Sequence, residues 1–267
     1  MAKPWRQRLR WARLKTISAG LDGVFWAVQQ VDGLLGMREW VTSPALRTRY
    51  SPRSRGWREE GPVVIVLAGL STPWRFMRPV LDALSDRGYR VLVLPQLGWN
   101  LSSVAKLAGV VERYLLAHPE YGRVLFVGHS KGGLIAKQVL LDDLAGEHTI
   151  GAVTLSAPFA GAKAARLVHG SNPIAREMIG LRAGTPMQLA LSMRDEVDAR
   201  ITSIIPLYDQ IVGYPGILPN GRNRTVRALG HNLLLADRRV HDIIDRELRA
   251  IMTRDAERAA STPPTPA

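Results

Sequence analysis

The sequence contains no cysteine among its 267 residues. This absence excludes disulfide bonds, thiolate catalysis and zinc sites built on cysteine. It is compatible with the reducing cytosol, and we expect a cytoplasmic protein. No stretch approaches the roughly 20 apolar residues that a membrane-spanning helix needs. The basic start of the chain is not followed by an uninterrupted apolar segment, so we also expect no cleavable secretory signal.

Acidic residues are scarce ahead of Pro62. Residues 1–58 contain twelve Lys or Arg against three acids, so most of the formal net charge of +13 lies in this segment. Basic segments favour anionic surfaces such as phospholipid headgroups or nucleic acid. Peripheral contact of residues 1–40 with an anionic membrane is one hypothesis, and a solvated arginine-rich face is the other. We expect no specific nucleic-acid contact, and the oligomeric state stays open.

Residues 16–37 show helical periodicity. Their apolar residues recur at spacings of four and three, which places them on one face of a helix: Ile17, Leu21, Val24, Val28, Val31 and Leu35. That face either packs on the body of the protein or lies in a membrane interface, because Lys, Arg and Trp residues precede it. Residues 42–61 carry Pro, Gly and Arg without periodicity, which is typical of a linker or an irregular segment. We therefore predict that residues 1–61 form a basic, helical or irregular extension.

From residue 62 onward, predicted strands and helices alternate, which indicates βαβ units and a parallel sheet. We predict a domain over 62–252 and a disordered tail over 253–267. Residues 158–200 show no strand signal, and an insertion of this length is typical of a cap over a site. The predicted strands are Val63–Leu67, Arg90–Leu94, Arg123–Val127, Ile150–Leu155, Ile201–Pro206 and Thr225–Leu229, and a final helix spans Asn232–Ile251.

A Gly-x-Ser-x-Gly motif centres on Ser130 and stands between a predicted buried strand and a helix. This is the setting of a nucleophile elbow, a sharp strand-to-helix turn that exposes a serine hydroxyl. Glycines at positions 128 and 132 omit the side chains that would clash in such a turn. A tight turn with an incidental serine is the alternative interpretation.

A serine nucleophile needs a general base and a group that orients the base. His231 follows the last predicted strand, at the edge of the sheet where sites of open α/β sheets assemble. Asp209 follows the preceding strand and lies between Ser130 and His231 in the expected chain order. We therefore predict Ser130, Asp209 and His231 as a catalytic triad.

Acyl transfer also needs backbone donors for the developing oxyanion. One predicted donor is the amide of Lys131, which follows the serine. The other comes from the loop after the first strand, with Leu70 as the choice and Ser71 as the alternative. The residues that we expect to line a substrate pocket are Ser71, Trp99, His129 and Phe159.

These motifs resemble the α/β-hydrolase superfamily, and within it the bacterial lipases and esterases. Three stretches carry the resemblance: Val124–Gly133 around the elbow, Leu155–Gly161 after the next strand, and Ile201–Leu235 with the acid and the histidine. Ala68-Gly69 stands where the family often has His-Gly, and Phe159 stands where a histidine is common. The resemblance implies an α/β-hydrolase fold, with a mostly parallel central sheet, helices on both faces and a helical cap.

The resemblance and the predicted triad together imply a serine hydrolase of lipase or esterase type, without a cofactor or metal, that acts on a small-molecule or lipid ester. Two alternatives remain open. An acyltransferase or thioesterase would use the same residues. A non-catalytic binding protein on a hydrolase fold would use the basic N-terminal segment to reach membranes or partners.

Overall fold

The computed structural model describes residues 5–40, 48–50, 59–213 and 216–261. A six-stranded sheet with the order β2-β1-β3-β4-β5-β6 lies at its centre. All pairs of neighbouring strands are parallel, and Arg49 adds an antiparallel bridge to Leu92 at the β2 edge. The predicted, mostly parallel sheet is confirmed. The strands are β1 Val63–Leu67, β2 Arg90–Val93, β3 Val124–His129, β4 Thr149–Leu155, β5 Ile201–Tyr208 and β6 Arg222–Leu229.

The central strands form where the sequence has continuous apolar runs. All residues of β1 and β3 are buried, as expected for parallel strands that are covered on both faces. β6 differs because it is an edge strand whose first four residues, Arg222–Thr225, are exposed. These polar residues carry no apolar signal, which explains why the strand begins earlier than predicted.

Helices cover both faces of the sheet, as predicted. One apolar cluster joins Ile65 and Phe126 to α3 and α4. The other joins Val66 and Leu125 on the opposite face to α2 and α7. The helices are α1 Trp5–Trp40, α2 Arg78–Asp86, α3 Val104–Ala117, α4 Lys131–Asp142, α5 Pro173–Gly180, α6 Pro186–Met193 and α7 Arg238–Ser261. Among the helices that the structure describes, none has the length and apolar character needed to cross a membrane.

The N-terminal helix α1 packs in the orientation opposite to the first interpretation of its periodicity. Its polar residues Ser18, Asp22 and Gln30 are buried against the body, whereas its predicted apolar face points outward. Ile17 and Val24 are 59% and 62% exposed, so that face is not part of the core. The expectation that this helix packs on the body is confirmed, but its polar face makes the contact, and the described apolar side chains of the predicted face lie outside it. The side chain of Leu35 is not among the described ones.

Two predicted boundaries also change. α7 continues to Ser261, so the tail does not begin at residue 253, and residues 262–267 lie outside the described part of the chain. Most of the linker predicted over 42–61 lies outside it as well. Between β4 and β5, the segment 158–200 contains α5 and α6 and no strand. A buried ion pair joins this segment to α4, with 2.7 Å between Lys137 Nζ and Asp198 Oδ1.

Candidate active site

Ser130 lies on a sharp turn between β3 and α4. Its φ angle is +52°, a conformation that L-residues rarely adopt and that costs free energy unless the surroundings impose it. The surroundings do so here. A Cβ at position 128 would lie 2.6 Å from the carbonyl carbon of Gly132, and a Cβ at position 132 would overlap the carbonyl of Leu67. The Ser130 amide also donates to the Leu155 carbonyl at 2.8 Å, which fixes the turn to β4.

The turn presents Ser130 at the first turn of α4, a helix of 12 residues. Unpaired amides and the helix dipole make such a position favourable for negative charge. The serine is 7% exposed, so a charge that develops there is largely shielded from water. The predicted strand, sharp turn and helix are all present, and the helix starts at Lys131, directly after the serine.

Asp209 and His231 meet at the carboxyl ends of β5 and β6. His231 Nδ1 lies 2.8 Å from Asp209 Oδ2, and both side chains are more than nine-tenths buried. The amides of Ile211 and Val212 donate to Asp209 Oδ1 at 2.9 and 2.8 Å, which orients the carboxylate. A carboxylate only accepts, so Nδ1 carries the proton. In the neutral imidazole, Nε2 then keeps a lone pair and can accept a proton.

The pair also sets the protonation of both groups. Burial by itself would raise the pKa of Asp209, but the charge and hydrogen bond of His231, together with the two backbone donors, hold that pKa below its ordinary value. Burial likewise lowers the pKa of His231, and the Asp209 carboxylate outweighs it, with a smaller contribution from Asp22. The pKa of His231 therefore lies above its ordinary value. This is the electrostatics of a base that becomes a stabilised cation when it takes a proton.

His129, which immediately precedes Ser130, connects the elbow to the histidine loop. Its Nε2 donates to the His231 carbonyl at 3.0 Å, and the two imidazole rings are 4.8 Å apart. Phe76 stacks on the His129 ring at 6.2 Å. Burial, followed by the nearby His231, lowers the pKa of His129 to about 3, so it stays neutral. We predicted that His129 lines a substrate pocket, and the structure places its ring between Phe76 and His231.

The loop after β1 lies beside the serine. A Cβ at Gly69 would be 3.1 Å from Ser130 Cβ. The Gly69 carbonyl accepts from Asn100 Nδ2 at 3.1 Å and from Thr72 Oγ1 at 2.8 Å. In a trans peptide the carbonyl and the following N–H point in opposite directions. The Leu70 amide therefore points away from Asn100 and Thr72, and its role as an oxyanion donor stays a prediction.

Sequence reasoning missed Asp22, which joins α1 to the histidine loop. This carboxylate is 1% exposed. Its Oδ1 accepts from the amides of Asn232 and Leu233 at 2.6 and 2.8 Å. Its Oδ2 accepts from the side chains of Asn232 and Gln210 at 2.7 and 2.5 Å. The only sequence signal for Asp22 is that of an acid within a basic, apolar stretch.

The side chain of Lys131 has a second role that the motif did not indicate. Its Nζ donates to the carbonyls of Asn100 and Ser102 at 3.0 and 2.6 Å and pairs with Glu177 of α5 at 2.6 Å. Burial lowers the pKa of Lys131, and Glu177 opposes this shift. One side chain thus connects the elbow, the loop after β2 and the helical segment 158–200.

A cavity with a volume of about 520 Å³ lies beside Asp209. Its walls include Lys15 from α1, Tyr208, Asp209 and Leu167. The predicted lining residues Ser71, Trp99, His129 and Phe159 are not among its walls. Ser71 and Trp99 are half-buried in the loops after β1 and β2. Phe159 is 5% exposed and belongs to the core cluster beneath α5 and α6.

Comparisons with known proteins identify the fold. The structure of lipase B from Aspergillus fumigatus aligns with 75% of this chain and 56% of its own chain, with a TM-score of 0.60 and 18% identity. A lipase of Bacillus licheniformis aligns with 72% of this chain and 94% of its own, with a TM-score of 0.58 and 15% identity. A hydrolase from Oleispira antarctica aligns with 73% of this chain and 93% of its own, with a TM-score of 0.52 and 17% identity. These likenesses show that the chain has the α/β-hydrolase fold, as predicted.

In sequence, the chain is 32% identical over 114 residues to epoxide hydrolase B of Mycobacterium tuberculosis. This match covers 39% of the chain and 31% of the epoxide hydrolase, so the chain spans about a third of that relative's length. No protein-family model matches the chain.

Proposed function

We propose that this protein is a serine hydrolase that cleaves a carboxylic ester through Ser130, His231 and Asp209. The observation that carries the proposal is the buried hydrogen bond of 2.8 Å between His231 Nδ1 and Asp209 Oδ2, tied through His129 to the strained elbow that bears Ser130. The pair supplies an oriented base, and the elbow supplies a hydroxyl at a helix N-terminus. The lipases among the structural neighbours support the same chemistry by analogy of fold.

In the proposed reaction, Ser130 Oγ attacks the ester carbonyl carbon while His231 Nε2 takes the hydroxyl proton. Asp209 stabilises the resulting imidazolium without taking the proton itself. The amides of Leu70 and Lys131 donate to the oxyanion, and each such donor contributes about 2.7–4 kcal/mol to lowering the barrier. The tetrahedral intermediate then expels the alcohol, which receives the proton from His231.

The second half of the reaction releases the acyl group. A water molecule attacks the acyl-serine carbonyl and gives its proton to His231. The intermediate collapses to a carboxylic acid, and Ser130 regains its proton. The helical segment 158–200 contacts the elbow through the pair of Lys131 and Glu177, and its apolar residues suit an apolar acyl chain. We propose that this segment caps the acyl site.

The test is a panel of p-nitrophenyl esters of increasing chain length, measured with the wild type and with Ser130→Ala. We expect wild-type turnover to fall by at least about 10³-fold in the variant, because the nucleophile is lost. Ser261→Ala is the control, since Ser261 is an exposed serine at the end of α7, and it should keep wild-type turnover.

An aromatic epoxide belongs in the same panel because the partial sequence match is to an epoxide hydrolase. Ester hydrolysis that survives in Ser130→Ala would contradict the proposed nucleophile. Turnover of the epoxide without any ester hydrolysis would contradict the proposed substrate class.

A further inference from the structure

The outward face of α1 is a continuous apolar stripe. Its members recur at helical spacing and are each more than half exposed: Ile17 59%, Leu21 56%, Val24 62%, Val28 58% and Val31 56%. Leu9 and Leu34 are also exposed beside the stripe. Isolated exposed apolar residues are ordinary, but a contiguous patch of this length marks an interaction surface.

The opposite face of α1 already has its partners in the body. Asp22 binds the histidine loop, and Gln30 Nε2 donates to the Ser71 carbonyl at 2.7 Å. Asp32 pairs with Arg75 and Arg78 at 3.3 and 3.2 Å. These contacts fix the rotation of the helix about its axis. The apolar stripe therefore cannot turn inward without breaking buried polar contacts, and it stays on the surface.

Positive charge continues the stripe toward the N-terminus. Arg13 and Arg10 precede Ile17 by four and seven residues, so they share its face. An apolar stripe with cations along it matches the two layers of an anionic membrane interface, which offers acyl chains and negative headgroups.

We propose that α1 docks on an anionic lipid bilayer through this stripe, lying parallel to the membrane surface. The same helical spacing of apolar residues would also suit the α1 helix of a second copy of this chain. In a parallel pair, however, Arg10 would face Arg10 of the partner, and in an antiparallel pair the guanidinium groups would lie over apolar side chains. Anionic headgroups complement these charges in a way that a second copy does not.

Docking would also orient the candidate active site. The inner face of α1 contacts the loops that carry His231 and Ser71, and Lys15 of α1 lines the cavity beside Asp209. These loops would lie within about one helix diameter, roughly 10 Å, of the bilayer. A lipid ester leaving the bilayer would then have a short path to Ser130. This orientation rests on the proposed hydrolase function, whereas the docking itself does not.

The test is co-sedimentation of the full chain carrying Ser130→Ala, so that no hydrolysis alters the vesicles. We expect binding to mixed phosphatidylcholine–phosphatidylglycerol vesicles, weaker binding to phosphatidylcholine alone and weakening by salt. Adding Val24→Gln and Val28→Gln should lower partitioning by about tenfold or more, because both side chains face outward. Arg10→Gln with Arg13→Gln should reduce binding to the anionic vesicles only.

The matched control is Leu116→Gln with Leu144→Gln, which makes the same kind of change at apolar residues that are 65% and 53% exposed elsewhere on the surface. It should bind vesicles like the wild type, and all variants should melt at similar temperatures. Equal binding by the Val24 and Val28 variant would overturn the proposal. So would a lack of vesicle binding together with a dimer, seen by sedimentation equilibrium, that this variant abolishes. In that case the occupant is a second copy.

Discussion

Replacing Asp22 by alanine should weaken both the stability and the activity of the protein, although the residue lies 209 positions before His231 in sequence. The carboxylate accepts two backbone amides and two side-chain amides in a buried position. A buried donor that loses its partner costs about 1–3 kcal/mol. Some of the four donors will find water, so we expect a loss of about 3 kcal/mol, which corresponds to a decrease of about 6–12 °C in Tm for a chain of this size.

The effect on activity follows from the position of the bonds. The amides of Asn232 and Leu233 follow His231 directly, so their release loosens the loop that aligns the imidazole. A misplacement of about 1 Å can lower a rate by about 10²-fold. We expect kcat/KM for a p-nitrophenyl ester to fall by about 10–100-fold in Asp22→Ala. Asp22→Asn keeps one acceptor oxygen for the two amides, so its loss should be smaller.

Asp32→Ala is the control on the same helix. Asp32 is 27% exposed and pairs with Arg75 and Arg78, so its removal should cost about 1 kcal/mol or less. Thermal unfolding and steady-state kinetics on the three variants provide the readout. An Asp22→Ala protein with the Tm and kcat/KM of the wild type would show that α1 does not position the histidine loop.

Three further predictions concern titration, a buried ion pair and the elbow. Activity should rise as the pH passes through the raised pKa of His231, because only the neutral imidazole accepts a proton. Asp22→Asn should move this limb of the pH–rate profile to lower pH, because it removes a negative charge that favours the imidazolium. Lys137→Met should lower the free energy of unfolding in urea by about 3–5 kcal/mol, since it leaves Asp198 buried and unpaired, and a loss below 1 kcal/mol would contradict this. Gly132→Ala should destabilise the fold by about 3 kcal/mol in thermal unfolding because the new Cβ overlaps a backbone carbonyl of β1, and an unchanged Tm would contradict this geometry.

The sequence predicted the sheet well where burial on both faces forces a continuous apolar run. β1 matches its predicted bounds, and the elbow at Ser130 has its expected strand and helix. Local signals are sufficient to predict a strand or the elbow, because the residues that form each of them are adjacent in sequence. The exposed arginines at the start of β6 gave no such signal, so that strand was predicted too short.

Long-range partners were harder to predict. The periodicity of α1 identified two faces correctly, but it could not show that the polar face has buried partners while the apolar face has none in the body. Asp22 needed knowledge of a contact across 210 positions of sequence. The side chain of Lys131 was missed for the same reason, since its partner Glu177 lies in the segment 158–200.

The most direct test of Ser130 as the nucleophile is labelling of the folded protein by a fluorophosphonate probe, followed by mass spectrometry of its peptides. We expect covalent labelling of one residue, Ser130, at a stoichiometry that approaches one, and its loss in Ser130→Ala. His231→Ala should slow the labelling strongly, because the base that activates the serine is absent. Absence of labelling in the folded wild type, or labelling unchanged in Ser130→Ala, would show that Ser130 is not an activated nucleophile.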